Sequence, residues 1–373
     1  MYRQIEKGSS LFSEDYLNWI IEKANGALNK TPMSITDAVS NQSPGNEHDF
    51  YSNGDYWWPN PDAEDGLPYI RRDGESNPDN FFSHRKILRC MRTNVAHLTA
   101  GYLLTGKELF AKKAVDFLTT FFLEKTTRMN PHLRYAQAIP GVCTGRGTGI
   151  IDTLHLVDIP MAIRILQSSS ALSNEILVAL KQWFKDYLNW MNTHHYGLDE
   201  RKATNNHSVC WYVQAASFAT LVEDQEMLRF CREQYKLNLI PNQMAADGSF
   251  PRELTRTKPY SYSIFVLDNM VTLTHLLTRP KENLWEFQLE DGRGIQKGLA
   301  FLFPYLQDKS KWPYPDDVEH FDGWPARVPS LLLAGRALQK QEYMDLWNRL
   351  NIEPVNPEVR RNIAIRQPIL WIQ

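Results

Sequence analysis

Residues 83–122 read SHRKILRCMRTNVAHLTAGYLLTGKELFAKKAVDFLTTFF. Apolar side chains recur every three to four positions on both sides of Leu104-Thr105-Gly106-Lys107. That spacing gathers one apolar stripe per segment, so the stretch predicts two helices, 83–104 and 107–123, broken at Thr105-Gly106. The same period recurs outward along the chain over 13–29, 149–168, 173–193, 206–221, 225–239, 263–279, 292–307 and 328–350. Ser173, and Asn205 or Asn206, stand where helix N-caps belong. Alternating strand patterns are scarce, and no repeat of fixed period is present. Successive helix pairs with short or medium connections imply an all-α fold of stacked hairpins, either an open solenoid or a closed α/α toroid. The C-terminal tail, Pro354–Gln373, is compatible with a short strand or with packing over the barrel.

Composition limits the function classes. The chain has 373 residues, 43% hydrophobic and 23% charged, which is ordinary for a globular protein. Length alone fits two domains or one large repetitive one. Lys+Arg number 41 against 43 Asp+Glu, a net charge of −2. A general nucleic-acid binder needs a basic excess, so that class is disfavoured, while a local basic cleft for an acidic ligand is not. No apolar run approaches the ~20 residues of a bilayer span. The opening MYRQIEKGSS lacks the apolar core of a signal peptide, so the expectation is a cytosolic chain or a mature or trimmed form of an exported one. Cys90, Cys143, Cys210 and Cys231 have no metal-ligand spacing and are expected to be buried thiols.

Four polar stretches interrupt the helices, and each has a functional and a bland reading. Asn205-Asn206-His207-Ser208 opens a helix; the positive helix end would lower the His207 pKa and leave a neutral imidazole able to relay protons. On the bland reading Asn205 or Asn206 is a cap and His207 packs locally. Residues 247–262 hold Arg252, Arg256, Tyr260 and Tyr262 just before a helix. A guanidinium there would lower a tyrosine pKa from its usual ~10 by stabilising phenolate, or grip a substrate carboxylate. Otherwise this is an aromatic loop with solvated arginines. Residues 43–82 form a long aromatic, Pro/Gly-rich stretch with Tyr56, Trp57, Trp58, Arg71 and Arg72. Trp faces stack on sugar rings and Arg pairs with sugar acids, or the loop is a lid packed by its own aromatics. Residues 141–149, GVCTGRGTG, match no phosphate-binding loop; a tight turn with Arg146 facing a cleft is expected. His194-His195 reads as surface, and Asp316-Asp317 as solvated carboxylates.

Together these segments resemble the alginate lyase domain family of α/α-toroid polysaccharide lyases. The resemblance lies in YWWPNP (56–61), DGLPYIRRDG (65–74), YAQAIPG (135–141), GRGTGIID (145–152), NNHS (205–208) and DGSFPRELTR…YSYSIF (247–265). It implies one (α/α) toroid, or incomplete barrel of helical hairpins, over residues 1–373, its long aromatic loops forming a cleft and 43–82 serving as lid and substrate loop. It implies catalytic roles for Tyr262, His207, Asn206 and Arg256, and a carboxylate-binding amide at Gln137. Tyr56, Trp57 and Trp58 would be sugar platforms, Arg71 and Arg72 distal carboxylate contacts, and Arg146, Tyr260 and Asn205 further substrate contacts. Here the step from Arg256 to Tyr262 is one residue shorter than in the family, and Ser263 stands where the family has His.

The implied reaction is β-elimination on a 1,4-linked polyuronate, alginate first, giving 4,5-unsaturated ends. Removing the C5 proton builds charge on the sugar carboxylate. Asn206, Arg256 and Gln137 would offset that charge without a metal or other cofactor. Tyr262 would be the base, the acid or both, and His207 a base for the opposite epimer or an aid to deprotonating Tyr262. The partner is then an acidic polysaccharide met outside the cytoplasm, which places the protein in the periplasm or among secreted proteins. Oligomeric state stays open. Three other readings compete: a glucuronan lyase of the same fold, a six-hairpin-type uronyl hydrolase using a carboxylate pair among Asp55, Asp65, Asp152 and Glu253, and a non-catalytic glycan-binding toroid.

Overall fold

The computed structural model describes residues 12–372. The opening Met1–Ser10, read above as lacking an apolar leader core, lies outside the described residues. The chain begins with α1 (Glu14–Leu28), then β1 (Tyr51–Asn53), β2 (Trp57–Trp58), β3 (Ile70–Arg71), α2 (Ser83–Thr105), α3 (Glu108–Phe122) and β4 (Tyr135–Ala138). A 3-10 segment, Gly147–Val157, leads into α4 (Asp158–Leu166), α5 (Asn174–Thr193), α6 (His195–Arg201), α7 (Asn206–Val222), α8 (Gln225–Gln234) and α9 (Ile240–Gln243). There follow α10 (Pro251–Leu254), α11 (Pro259–Leu277), α12 (Ile295–Gln307), α13 (Pro329–Ala337), α14 (Gln341–Arg349) and α15 (Pro357–Arg361).

The helices form two layers, and composition decides which lies inside. α7 and α11 are apolar nearly all round and almost wholly buried, which only an interior helix tolerates. α1, α3, α5 and α14 bury one stripe each and lie outside. The inner helices pack in sequence, α2 on α4, α4 on α7, α7 on α11 and α11 on α13. The ring closes where α14 returns to α1: the Tyr16 ring stands edge-on to Trp347 at 5.1 Å, and the Arg327 guanidinium lies 4.5 Å above Trp347. The fold is the expected all-α toroid of hairpins.

The predicted break at Thr105-Gly106 is where α2 ends. Gly106 takes the left-handed conformation, φ 66°, and its N–H reaches back 2.8 Å to the Tyr102 carbonyl. The single helix expected over 328–350 is two, because Gln339 at φ 55° turns the chain between α13 and α14. The helix expected over 149–168 starts as a 3-10 segment, and that over 225–239 ends in a π turn at Tyr235–Leu239. α6 was not expected; it is a short helix whose first turn is capped by His194, so that residue is structural rather than merely surface. Asp317 is not solvated either: it is buried and caps α11, accepting from the N–H groups of Tyr260 (2.9 Å) and Ser261 (3.0 Å).

Residues 43–82 are pinned down. β1 pairs in parallel with β4, and β2 with β3 antiparallel, Trp57 opposite Arg71. The tail forms no strand among the described residues; its α15 packs on the same loop, and Trp371 donates 2.8 Å to the buried Asp158 carboxylate. All four cysteines are free, but only Cys210 and Cys231 are buried; Cys90 is exposed. Among the described residues no helix is long and apolar enough to cross a membrane.

Trp347 is fully buried at the ring closure. Trp347→Ala is expected to cost about 3–5 kcal/mol, read as a lowered denaturant midpoint with an unchanged slope.

Candidate active site

The N-terminal turns of the inner elements converge. Arg85 and Arg89 near the start of α2, Thr148, Ile151, Asp152, Leu154 and His155 of the 3-10 segment, Asn206 and His207 opening α7, and Tyr262 in the first turn of α11 all line one cavity of about 370 Å³. Helix N-termini carry partial positive charge and favour an anion there. The loop adds Asp55, Tyr56, Trp57 and Arg71, β4 adds Gln137, and the tail adds Arg361 and Asn362. Such a volume is typical of pockets for small ligands, ~300–1,000 Å³.

The charges are heavily paired. Arg85 is held by Asp152 (2.8 Å), by the Asn53 carbonyl (2.7 Å) and by Asp55. Asp55 also takes Arg361 at 2.5 Å, across 306 positions of chain. Burial opposes the Asp55 carboxylate, yet Arg361 and Arg85 hold its pKa well below the usual range. Asp152 accepts from Ser52 (2.6 Å) and from the Gln137 amide (3.2 Å). Arg146 spans Gln137, 2.7 Å to its side-chain oxygen and 3.1 Å to its carbonyl, and lies over the Trp57 ring. Gln137 itself sits at φ 53°, a conformation costing a non-glycine residue ~1–3 kcal/mol and usually kept where a side chain must be aimed.

The glycines of 141–149 cradle no phosphate. A Cβ on Gly149 would fall 2.5 Å from that of Ala136, and one on Gly145 2.0 Å from the Arg134 carbonyl, so glycine lets this strand lie flat on β4 and carry Arg146 inward.

α7 is capped from outside its own sequence. Asn205 occupies the N-cap position without a side-chain cap; the buried Glu253 of α10 accepts from both the backbone N–H and the side-chain amide of Asn206, at 2.8 Å each. His207 Nδ1 lies 2.6 Å from the buried Glu200 carboxylate of α6. The expected drop in the His207 pKa does not occur. Burial disfavours the imidazolium, but Glu200, reinforced by Glu253, outweighs burial and raises the pKa. A helix end is worth about half a charge, and a touching carboxylate a whole one.

Tyr262 also departs from expectation. The Arg256 guanidinium stacks on its ring, 4.6 Å from the centroid, and favours phenolate. Burial, together with Tyr56, whose hydroxyl is 2.6 Å away, prevails and raises the pKa, so the resting group is a phenol. Arg256 is not a free carboxylate clamp: its Nε and Nη2 grip Asp73 of the loop at 3.0 and 2.7 Å.

Tyr56, Trp57, Arg71, Gln137, Arg146, Asn205, Asn206, His207, Arg256 and Tyr262 therefore share the cavity, as expected. Three expected contacts do not reach it. Tyr260 is fully buried on the other face of α11, its hydroxyl donating 2.8 Å to the Tyr305 carbonyl; two helical residues are ~200° apart, so Tyr260 and Tyr262 cannot face one way. Trp58 and Arg72 stack on each other, 4.8 Å from guanidinium to ring centroid, because neighbouring strand residues point to opposite faces. Arg85, Arg89, Arg361 and Asn362 were missed. The spacing of Arg85, Arg89 and Arg92 places three guanidiniums on one helix face, a readable signal; nothing in the sequence pointed to Arg361.

The alginate lyase family profile matches residues 34–312. A solved alginate lyase from Bacteroides ovatus is similar at 32% identity and a TM-score of 0.83, covering 96% of this chain and 94% of that one. Alginate lyase A1-III from Sphingomonas species A1 shares the fold at 15% identity and a TM-score of 0.54, over 90% and 89% of the two chains. A variant of A1-III complexed with a tetrasaccharide gives 14% identity and a TM-score of 0.55, over 88% of each chain. A search of curated proteins found no match.

The raised His207 pKa gives stability that is complete below the unfolded value of about 6.5 and fades as pH climbs through the folded value. Glu200→Gln should bring the imidazole titration, followed by NMR, below 6.5. The stability gap between wild type and Glu200→Gln should narrow as pH rises above about 6.5 and through the folded value.

Proposed function

Because the chain belongs to the alginate lyase family, and so to the polysaccharide lyases, we propose that it cleaves a 1,4-linked polyuronate, alginate foremost, by β-elimination at the cavity just described. One observation carries this reading: a phenol, an imidazole, an amide and a guanidinium from α7, α11 and the loop before it share a cavity rich in arginine.

The sugar carboxylate enters beside His207 and Asn206. His207, whose hold on a second proton Glu200 strengthens, offers in its protonated form an Nε2–H to the carboxylate and offsets the charge that builds as C5 is deprotonated. In that protonated form the imidazole has no lone pair for the C5 proton, and the base role passes to Tyr262. The Asn206 amide, held by Glu253, is a second donor. Tyr262 acts as phenolate, takes the C5 proton, and returns it to the departing O4 as the C4–O4 bond breaks and C4=C5 forms. No net proton is consumed. Burial sets the resting phenol against this, and Arg256 above the ring is what favours phenolate. Asp73 holds Arg256 flat in that position and ties the loop shut over the site. The Tyr56 hydroxyl takes the Tyr262 proton as it passes its own to water in the cavity, which leaves Tyr262 as phenolate before the first turnover. Gln137, its amide spent on Asp152 and Arg146, acts by fixing Arg146 rather than by binding the carboxylate directly.

In this scheme charge balance falls to side chains, and no metal is assigned a step. The hydrolase reading needs a carboxylic acid able to protonate a leaving group near neutral pH. The carboxylates lining the cavity, Asp55 and Asp152, are both committed to Arg85, which supports elimination over hydrolysis. A substrate of this kind lies outside the cytoplasm, and we place the enzyme in the periplasm or beyond.

On alginate, turnover should generate ultraviolet absorbance from the conjugated enoate. Tyr262→Phe should cut that rate by roughly 10²–10⁴ while tetrauronate binding, followed by calorimetry, holds within a few-fold. New reducing ends without absorbance would point to hydrolysis and overturn the proposal.

A further inference from the structure

The end of the toroid away from the cavity carries charge that the elimination does not use. α11 opens at the cavity with Tyr262 and runs to Leu277. At about 1.5 Å per residue, Leu277 lies roughly 22 Å from Tyr262. Arg279 and Glu282 follow in a tight turn, their backbones exchanging hydrogen bonds of 3.2 and 2.9 Å. The Glu282 carboxylate is shared. Arg279 holds it at 2.8 Å and Lys236 at 2.5 Å, while Arg232 of α8 stands 3.5 Å off. Arg229 lies one helical turn before Arg232, and its charge acts on that guanidinium.

One carboxylate does not saturate this group. Arg232 is buried, yet its Nε donates no hydrogen bond. Burial, then Arg279, push its pKa below the ordinary guanidinium value. Leaving a buried charged group without full pairing is costly. The exposed Glu226 and Glu233 of α8 form no ion pair with these cations among the described residues. Lys236 stands in the π turn Tyr235–Leu239, which the buried Tyr235 pins to Thr274 at 2.7 Å. Such turns give up regular helix geometry and occur frequently at functional sites. A plain structural link between α8 and the turn after α11 needs one cation for Glu282, and Lys236 already supplies it. The surplus is positive, partly exposed and outside the cavity.

Resting on the lyase reading, we propose that Arg229, Arg232, Lys236 and Arg279 form a second, non-catalytic binding site for acidic polysaccharide, which takes uronate carboxylates from chain lying beyond the cavity. Glu282 displays the matching chemistry, a carboxylate held by the Nε and Nη2 of Arg279 and by the Lys236 ammonium. A uronate brings one charge per sugar and meets less repulsion from Glu282 than a phosphate dianion does. A long chain engages both sites, and its second engagement is intramolecular. A short oligomer in the cavity gains nothing from the far end.

The test uses the full chain in a Tyr262→Phe background, so that saturated chains are bound and not cleaved. Arg229→Gln combined with Arg279→Gln alters two exposed side chains. It should weaken the Kd for long alginate roughly tenfold or more and leave the Kd for a triuronate within twofold. Equal polymer affinity in variant and parent overturns the proposal, as does an equal loss for polymer and triuronate. Arg232→Gln, made separately, should weaken polymer binding in the same way; a lowered Tm with unchanged polymer affinity marks a structural arginine and overturns its place in the site. Should Arg232→Gln fail to fold, the exposed pair decides. If the wild type yields no enoate absorbance on any uronan, the lyase reading has failed, and migration through an alginate-containing native gel still reads this site. Faster migration of the double variant than of its parent, after correction to an alginate-free gel, upholds the site, and equal retardation overturns it. Inorganic phosphate is the control, titrated against chloride at constant ionic strength. If phosphate raises the parent's Tm more than the variant's while alginate retards both equally, the site takes a free anion and the polysaccharide proposal is overturned.

Discussion

Asp55 between Arg85 and Arg361 is the interaction on which the rest of the site depends. One carboxylate from the long loop neutralises a guanidinium from the first inner helix and another from the tail. Each partner is otherwise costly to bury, and removing one member of such a cluster strands the others, at about 3–5 kcal/mol. The cluster fixes the loop against the ring, and with it Tyr56 against Tyr262 and Trp57 against Arg146. Cavity walls from three distant stretches of chain thus hold one geometry.

The electrostatics of the reaction centre follow a simple ranking. Contact with a full charge outweighs a helix end, and burial outweighs a stacked cation. His207 becomes a better cation than a free histidine because Glu200 touches it, and Tyr262 a worse acid than a free tyrosine because it is buried. The two groups are displaced in directions that suit a charge-offsetting donor and a strong base once deprotonated. Glu200 and Glu253 do not meet the ligand in this scheme, yet they set what His207 and Asn206 can do.

Much of this was legible in the sequence. The 3.6-residue period located every long helix, and the helix-opening Asn206-His207 and the Arg256…Tyr262 pair read correctly as cavity residues. What failed had physical causes. Tyr260 and Tyr262 are near neighbours in sequence but lie on opposite sides of a helix. Trp58 and Arg72 sit on the outward face of a hairpin that loop composition did not reveal. Asp317, read as solvated, caps α11 from 57 positions away. The pKa directions of His207 and Tyr262 depended on Glu200 and on burial, neither of which local sequence could supply. Arg361 depended on the tail docking, an event without a local signature.

The span from Asp55 to Arg361 also bears on how the site comes into being. The helical hairpins rest on neighbours in sequence and form quickly, whereas this ion pair joins residues 306 positions apart and carries the entropy of closing that loop. The cavity therefore depends on a long-range closure that local helix formation does not supply, as does the ring itself, where Tyr16 meets Trp347. A chain with its ring built but its tail undocked would have native helicity, an open mouth and unpaired arginines facing water. Competence to bind an anion in register requires that docking, which makes the arrangement a check that the whole chain has been threaded home.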